Sequence, residues 1–333
     1  MKISVIIPFY NLEKYVTECL DSVVFQFDKL DAALHSSIEI ICVDDGSKDS
    51  TGQLLDKYAA SQEARDSKNL TLRIIHQPNG GEGAARNAGL AAATGDWVTF
   101  LDGDDVWLEN HLQVATKLIE SNPSADIIAL KYKDFNDGSE PPEPASADIK
   151  TFDISTSIPS EVILEVGVFP TFFRHSFIKD AKFSSLPLGA DRLYMAQAFA
   201  RAKSLIKSDA IVHGYRIRSG SMARAVWNAR KVISQSDYAF GSLNALAQCR
   251  KNIGFKGHAY LASLWLSDVP NRLSRLTKDE RQIAWQHWRS TLNSTCLYSL
   301  PRFNLIRKIL KFLSFSPLLS IAAARFFRKI GIS

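Results

Sequence analysis

Cysteine is scarce in this chain and widely scattered. The four, Cys19, Cys42, Cys249 and Cys296, form no CxxC pair, which excludes a zinc-finger spacing and a disulfide framework. Each lies in an apolar context and is expected to behave as a small buried hydrophobe in a reducing compartment. No window approaches 18 uninterrupted apolar residues, so no membrane span is expected. Met1 leads directly into Ile3-Ser4-Val5-Ile6-Ile7, without the long apolar region of a signal peptide. No internal repeat is present. Glycine is missing where a dinucleotide site needs it. Gly81-Glu82-Gly83-Ala84-Ala85-Arg86 lacks a third glycine, and the turn Pro8-Phe9-Tyr10-Asn11 has none, which argues against a Rossmann dehydrogenase. Acidic residues stop at Glu280, while nine Lys or Arg follow it.

The rest of the composition is ordinary. The 333 residues are 46% hydrophobic and 23% charged with a net charge of +5, enough for one large or two ordinary domains. Apolar, β-prone runs occupy residues 3–7, 38–43, 70–76 and 97–101, with helical spacing over 12–27, from 51 to about 60, and 84–93. Strands alternating with helices predict an α/β fold with a parallel, doubly wound sheet. Further strands are expected at 126–132 and 210–217, with an exposed excursion over 136–149.

Three carboxylates, Asp102, Asp104 and Asp105, follow the fourth strand. Ionised groups this close repel and are costly to desolvate. A divalent cation relieves both effects, and hard oxygen ligands suit Mg2+ or Mn2+ shared with phosphate oxygens. The plainer alternative is a solvated Asp/Gly turn. In doubly wound sheets, ligands bind beyond the carboxyl ends of the strands. That rule puts Pro8, Tyr10, Asp44, Asp45 and the 102–105 loop on one rim. Two acidic loops there make a nucleotide-and-metal cleft, in which Asp44 or Asp45 accepts hydrogen bonds from a base or ribose. Arg86 and Asn87 supply donors near the same rim, with a surface salt bridge as the alternative for Arg86.

Val5-Ile6-Ile7-Pro8-Phe9-Tyr10-Asn11, Val43-Asp44-Asp45-Gly46-Ser47-Lys48-Asp49-Ser50-Thr51, Gly83-Ala84-Ala85-Arg86-Asn87-Ala88-Gly89 and Gly95-Asp96-Trp97-Val98-Thr99-Phe100-Leu101-Asp102-Gly103-Asp104-Asp105 together resemble family 2 glycosyltransferases of the GT-A fold. The resemblance implies a mixed, mainly parallel sheet and an inverting reaction. It also implies a nucleotide-diphosphate sugar donor, with a UDP-sugar first in line, and a saccharide or lipid-linked acceptor. Asp104 becomes the direct metal ligand, with Asp102 and Asp105 assisting and His213 as a further candidate. A buried structural histidine is the alternative for His213. Residues 171–177 resemble the segment that walls the acceptor side. Asp191 matches the family's base position, although the preceding Glu is Ala190 here; a helix N-cap is its alternative. Arg216 and Arg218 match an element beside the donor phosphates. The domain boundaries implied are 1–222 for the transferase and 223–333 for a helical extension.

Two rivals remain at this level. One is a non-catalytic nucleotide-sugar or glycan-binding protein on the same fold. The other is a nucleotidyltransferase, against which the absence of a glycine-rich, Lys/Arg-bearing loop after the first strand argues. From Phe303 onward, Arg307, Lys308, Lys311, Arg325, Arg328 and Lys329 interrupt apolar residues, and Pro317 divides the run. Basic amphipathic helices without acids favour an anionic membrane surface, so a peripheral, cytoplasmic-face location is expected. Packing on its own domain is the alternative. No nucleic-acid motif accompanies the charge.

Overall fold

The structure is a computed structural model that describes residues 1–28, 37–63, 69–145, 148–186, 189–219, 228–248, 273 and 276–293. The chain divides into two compact units. The first comprises residues 1–156, 165–185 and 201–219; the second comprises 157–164, 186–200 and 220–333.

The first unit is built on a nine-stranded sheet. β1 (Lys2–Phe9), β2 (Ser37–Asp44), β3 (Leu70–His76) and β4 (Trp97–Phe100) are its parallel half. β1 and β2 are buried along nearly their whole length, which is why they read as unbroken apolar runs rather than alternating ones. Between them run α1 (Val16–Asp28), α2 (Thr51–Glu63) and α3 (Glu82–Ala92). Val16, Cys19, Leu20, Val23 and Val24 of α1 fall on one face and join Ile3, Val5 and Ile7 in the core. Each such side chain removed from water contributes about 1.5–3 kcal/mol. Cys19 and Cys42 are buried free thiols.

The other half is mixed. β5 (Val106–Trp107) leads to α4 (His111–Ser121), β6 (Ile127–Asn136), β7 (Ile149–Asp153), β8 (Thr171–Arg174), α6 (His175–Ile178) and β9 (Ser204–Ile217), while α5 (Ser160–Glu165), which precedes β8 in the chain, falls almost wholly in the second unit. The strand order is β3-β2-β1-β4-β8-β6-β9-β5, with β7 on β9. β8 is antiparallel to both β4 and β6, while β6 and β9 are parallel. The sheet is therefore mixed, as the resemblance implied. The chain changes direction of travel across the sheet between β1 and β4, and the carboxyl ends of these strands form the crevice where such sheets bind ligands.

Several elements differ in extent from the sequence reading; β6 runs past the expected 132 to Asn136 because it stays paired with β9 as far as Ile217. α1 starts at Val16 rather than Leu12, because the Leu12 amide donates to Thr51 Oγ1 at 2.8 Å instead of entering the helix. β9 begins at Ser204, six residues before the apolar run suggested, because β6 and β7 pair with its first half. The 136–149 excursion returns to the sheet at Ala145, bridged to Ile211.

The second unit contains α7 (Ala190–Arg201), α8 (Ala229–Gln248) and α9 (Lys278–Asn293). α8 and α9 pack on each other, with Trp285 and Trp288 buried and His287 Nε2 2.6 Å from Asp237 Oδ1. Among the described residues no helix is long and apolar enough to cross a membrane. The basic run from Phe303 onward lies outside the described residues, as do Cys249 and Cys296.

Candidate active site

The rim is assembled by loops that bond to one another. Asn11, after β1, has φ 53, a left-handed conformation that Asn tolerates. Its side-chain Oδ1 accepts from Lys48 N at 2.7 Å, and its amide donates to Ser47 Oγ at 3.0 Å. Ser50 N donates to Glu13 Oε2, and Glu13 N to Asp49 Oδ2. The loop after β1 is thereby tied to the loop after β2. Gly46 has φ +71, and a Cβ there would lie 2.8 Å from Asn79 N, so this position of the Asp-Asp-Gly-Ser stretch requires glycine.

Asp44 and Asp45 are both buried. Asp44 Oδ1 accepts from Ser47 N at 3.0 Å, and Oδ2 lies 3.0 Å from His76 Nδ1. Burial alone would raise this carboxyl; Ser47 and His76 hold it below its ordinary value. Asp45 accepts from Gln77 Nε2, Gly80 N and Gly81 N at 2.7–2.9 Å. It braces the glycine turn that opens α3. Pro8 is buried, and Tyr10 stands exposed at the end of β1.

Arg86 is buried on α3. Its Nη2 donates to Asp102 Oδ1 at 2.6 Å and to Glu82 Oε1, and its guanidinium lies 5.3 Å from the Phe183 ring centroid. Asn87 instead turns to the backbone of Phe183. Asp102 keeps 19% of its side chain exposed. Burial pushes its carboxyl up to about 6; Arg86 opposes this, and Glu82 and Asp104 add to it. Gly103 is needed because a Cβ there would meet the Phe9 ring and lie 2.8 Å from Pro8 O. The turn that carries the acids is thus pressed onto the end of β1.

The two following acids diverge. Asp104 is at the rim, 19% exposed, and its Oδ2 accepts from Arg218 Nε at 2.5 Å. Asp105 turns inward. It is 1% exposed, bonded to His213 Nε2 at 2.9 Å and to Arg216 N at 2.8 Å. Burial drives the Asp105 carboxyl well above its ordinary value and His213 down to about 4, both toward uncharged forms. His213 is itself fully buried and stacks on Phe169. It therefore faces the carboxylate beneath the rim, not the rim itself. Arg216 is likewise enclosed: it bonds Asp104 O and pairs with Glu18 and Asp137. Arg218 is 22% exposed. Both guanidinium groups lie against Tyr15, at 5.1 and 5.6 Å from its centroid, and Tyr15 Oη donates to Asp137 Oδ2.

Asp102 and Asp104 thus offer two partly open carboxylates in a locally acidic place. Such a pair suits Mg2+ or Mn2+, which take one or two carboxylates and complete their shell with phosphate oxygens and water. Among the described residues, no group of three or more His, Cys, Asp or Glu is arranged as a cage.

Asp191 belongs to the second unit. It is the second residue of α7, partly buried, so it is not the N-cap of that helix; Gly189, with φ +80, precedes the first turn.

Sequence reasoning missed Tyr15 and His76. Tyr15 carries no motif signal. His76 had one: it is the in-register partner of Asp44 across β2 and β3, two runs already read as strands.

Among curated proteins, the chain is 27% identical to glycosyltransferase GlyA of Streptococcus pneumoniae, over 78% of this chain and 36% of that protein. It is 32% identical to the poly(ribitol-phosphate) beta-N-acetylglucosaminyltransferase TarS of Staphylococcus aureus, over 62% of this chain and 34% of that protein. The chain thus spans about a third of the length of these relatives. Residues 1–349 of S. aureus TarS, solved with UDP-GlcNAc, share the fold with a TM-score of 0.69 at 23% identity, covering 99% of this chain and 92% of that one. Pyrobaculum calidifontis mannosyltransferase PcManGT, solved with GDP-Man and Mn2+, gives 0.55 at 17% identity, over 97% and 85%. Residues 4–180, more than half of the chain, match the family described as "Glycosyl transferase family 2", and with the GT-A-like sheet and its acidic rim this chain belongs to that family.

Proposed function

We propose that this protein is an inverting transferase. It moves a sugar from a nucleotide-diphosphate donor, a UDP-sugar, to a saccharide or lipid-linked acceptor in cell-surface polysaccharide synthesis. The observation that carries the reading is the pair Asp102 and Asp104, backed by Arg86 and Arg218, beside the Asp44–Asp45 loop. The TarS structure with UDP-GlcNAc supports the choice of donor.

In this scheme the Asp44–Asp45 loop receives the nucleoside, and Tyr10 lies along the base from the neighbouring strand end. Asp104 and Asp102 would hold a divalent cation, Mn2+ or Mg2+, which would supply positive charge to offset that of the diphosphate leaving group. Asp105 and His213 hold the backbone behind that pair. Arg218 exchanges Asp104 for a phosphate oxygen, and Arg216 stays in place as the brace of β9. Asp191 takes the proton from the acceptor hydroxyl, whose oxygen attacks the anomeric carbon on the face opposite the diphosphate. The segment from Phe303 onward keeps the enzyme on an anionic membrane surface, on the cytoplasmic face.

Two measurements test this. Calorimetric titration of UDP-GlcNAc should lose most of its affinity in EDTA and in Asp104→Asn; equal affinity with and without EDTA would remove the metal from the scheme. Asp191→Asn should bind donor as wild type does and transfer on the order of 100-fold more slowly, the usual contribution of a general base. A variant that keeps wild-type turnover would take Asp191 out of the chemistry.

A further inference from the structure

Three aromatic side chains beyond the acidic rim form a cluster that reaches solvent. Tyr132 lies on β6, Tyr215 on β9, and Phe169 just ahead of β8. Phe169 and Tyr215 stack with centroids 6.1 Å apart and planes 8° apart. Tyr132 closes on both, at 5.7 Å from Tyr215 and 6.4 Å from Phe169. On its other side Phe169 stacks on His213 at 5.6 Å, so the cluster rests on the buried pair that holds Asp105. Yet Tyr132 remains 48% exposed. β8 pairs with β6 only as far as Ala129, which leaves that edge of β6 without a strand beside Tyr132.

Strand order fixes where this cluster stands with respect to the donor. β2, which ends in Asp44, is two places from β4 on one side, and β6 is two places from β4 on the other. A nucleoside over the β2 end, with its diphosphate at Asp102 and Asp104, directs its sugar toward β8 and β6. The cluster is also within electrostatic reach of the acids. Burial first, then Asp105, Asp102 and Asp104, push the Tyr215 hydroxyl up to about 12.

We propose that Tyr132, Tyr215 and Phe169 are the acceptor subsite, a platform on which one pyranose ring of a saccharide acceptor stacks by its C–H face; this rests on the transferase reading above. Aromatic faces carry negative quadrupole charge, and the C–H bonds on one face of a pyranose point outward with partial positive charge. The ring hydroxyls are left at the periphery, where Asp134, on the same sheet face as Tyr132, is exposed.

Saturation-transfer NMR tests this on the full-length protein with UDP and diamagnetic Mg2+ present. Cellotetraose, maltotetraose and chitotetraose serve as probes. Irradiation of aromatic protons should transfer to pyranose C–H protons of at least one probe, in wild type and in Tyr132→Phe. Tyr132→Ala should weaken that probe by up to about tenfold, the loss of one stacked ring, with UDP affinity as the control for folding. Equal probe affinity in wild type and Tyr132→Ala overturns the platform. So does absence of transfer to all three probes from a protein that binds UDP. A wild type that binds no UDP-sugar overturns the transferase reading and the platform with it, so the two failures are told apart.

Discussion

Asp44 keeps its orientation through a histidine 32 positions away in the chain. His76 sits between Asp44 and Asp56, 3.0 Å from each, and both raise its pKa above the ordinary histidine value. The raised imidazole stabilises the fold fully below the unfolded histidine value of about 6.5, and that contribution is lost as pH rises through the folded value. Asp44, held low, contributes above the unfolded aspartate value of about 3.9 and loses it as pH falls through its own folded value. The pair is therefore worth most between these limits. We expect the Tm difference between wild type and His76→Gln to be largest near pH 5.5 and to shrink by pH 8.5; a difference constant across that range would mean His76 carries no charge here. The effect will be modest, because His76 is 46% exposed. Asp44, Asp45, Asp102 and Asp104 were legible in the sequence because they stand in motifs. His76 and Tyr15 were not, because each acts on a partner brought near by strand register or helix packing.

At the level of elements, the parallel half was readable, and of the mixed half only β6 and β9 were. Residues 3–7 and 38–43 announce themselves as strands through near-continuous apolarity, since both sheet faces are covered, while 70–76 alternates as the half-exposed edge strand. β8 has only four residues and β5 two; their pairing depends on neighbours distant in sequence, so no local pattern reveals it. The acidic turn between β4 and β5 is positioned by contact with β1, and Gly103 is the point of contact. Gly103→Ala would drive a methyl group into the Phe9 ring and the Pro8 carbonyl. Overpacking of this kind costs about 1–3 kcal/mol. Thermal denaturation should show a lowered Tm, and calorimetry a weakened UDP-GlcNAc complex. A variant with unchanged Tm and unchanged affinity would mean that β1 does not position the acids.

For the whole molecule, charge is the feature that local structure does not absorb. Nine basic and no acidic residues follow Glu280, and each basic residue at an anionic surface is worth roughly 1 kcal/mol. Flotation with liposomes should carry the full-length protein upward when anionic lipid is present. Binding should weaken in high salt and vanish on deletion of residues 303–333. A protein that stays at the bottom of the gradient at low salt would assign the tail to packing instead.

The bonds between rim loops have a consequence for how such a chain can diversify. Asn11 to Lys48, and Asp45 to Gly80 and Gly81, run through backbone amides, so a change of length in any one loop dislocates the next. The end of the sheet proposed to receive the nucleotide is in effect a single casting. On the β6 side, Tyr132 lies past the last β8 pairing and meets the rings of Phe169 and Tyr215 through its side chain, so it can be exchanged without a change of loop length. On the readings proposed above, a lineage built on this frame would alter what it glycosylates by point substitution while leaving its sugar donor untouched.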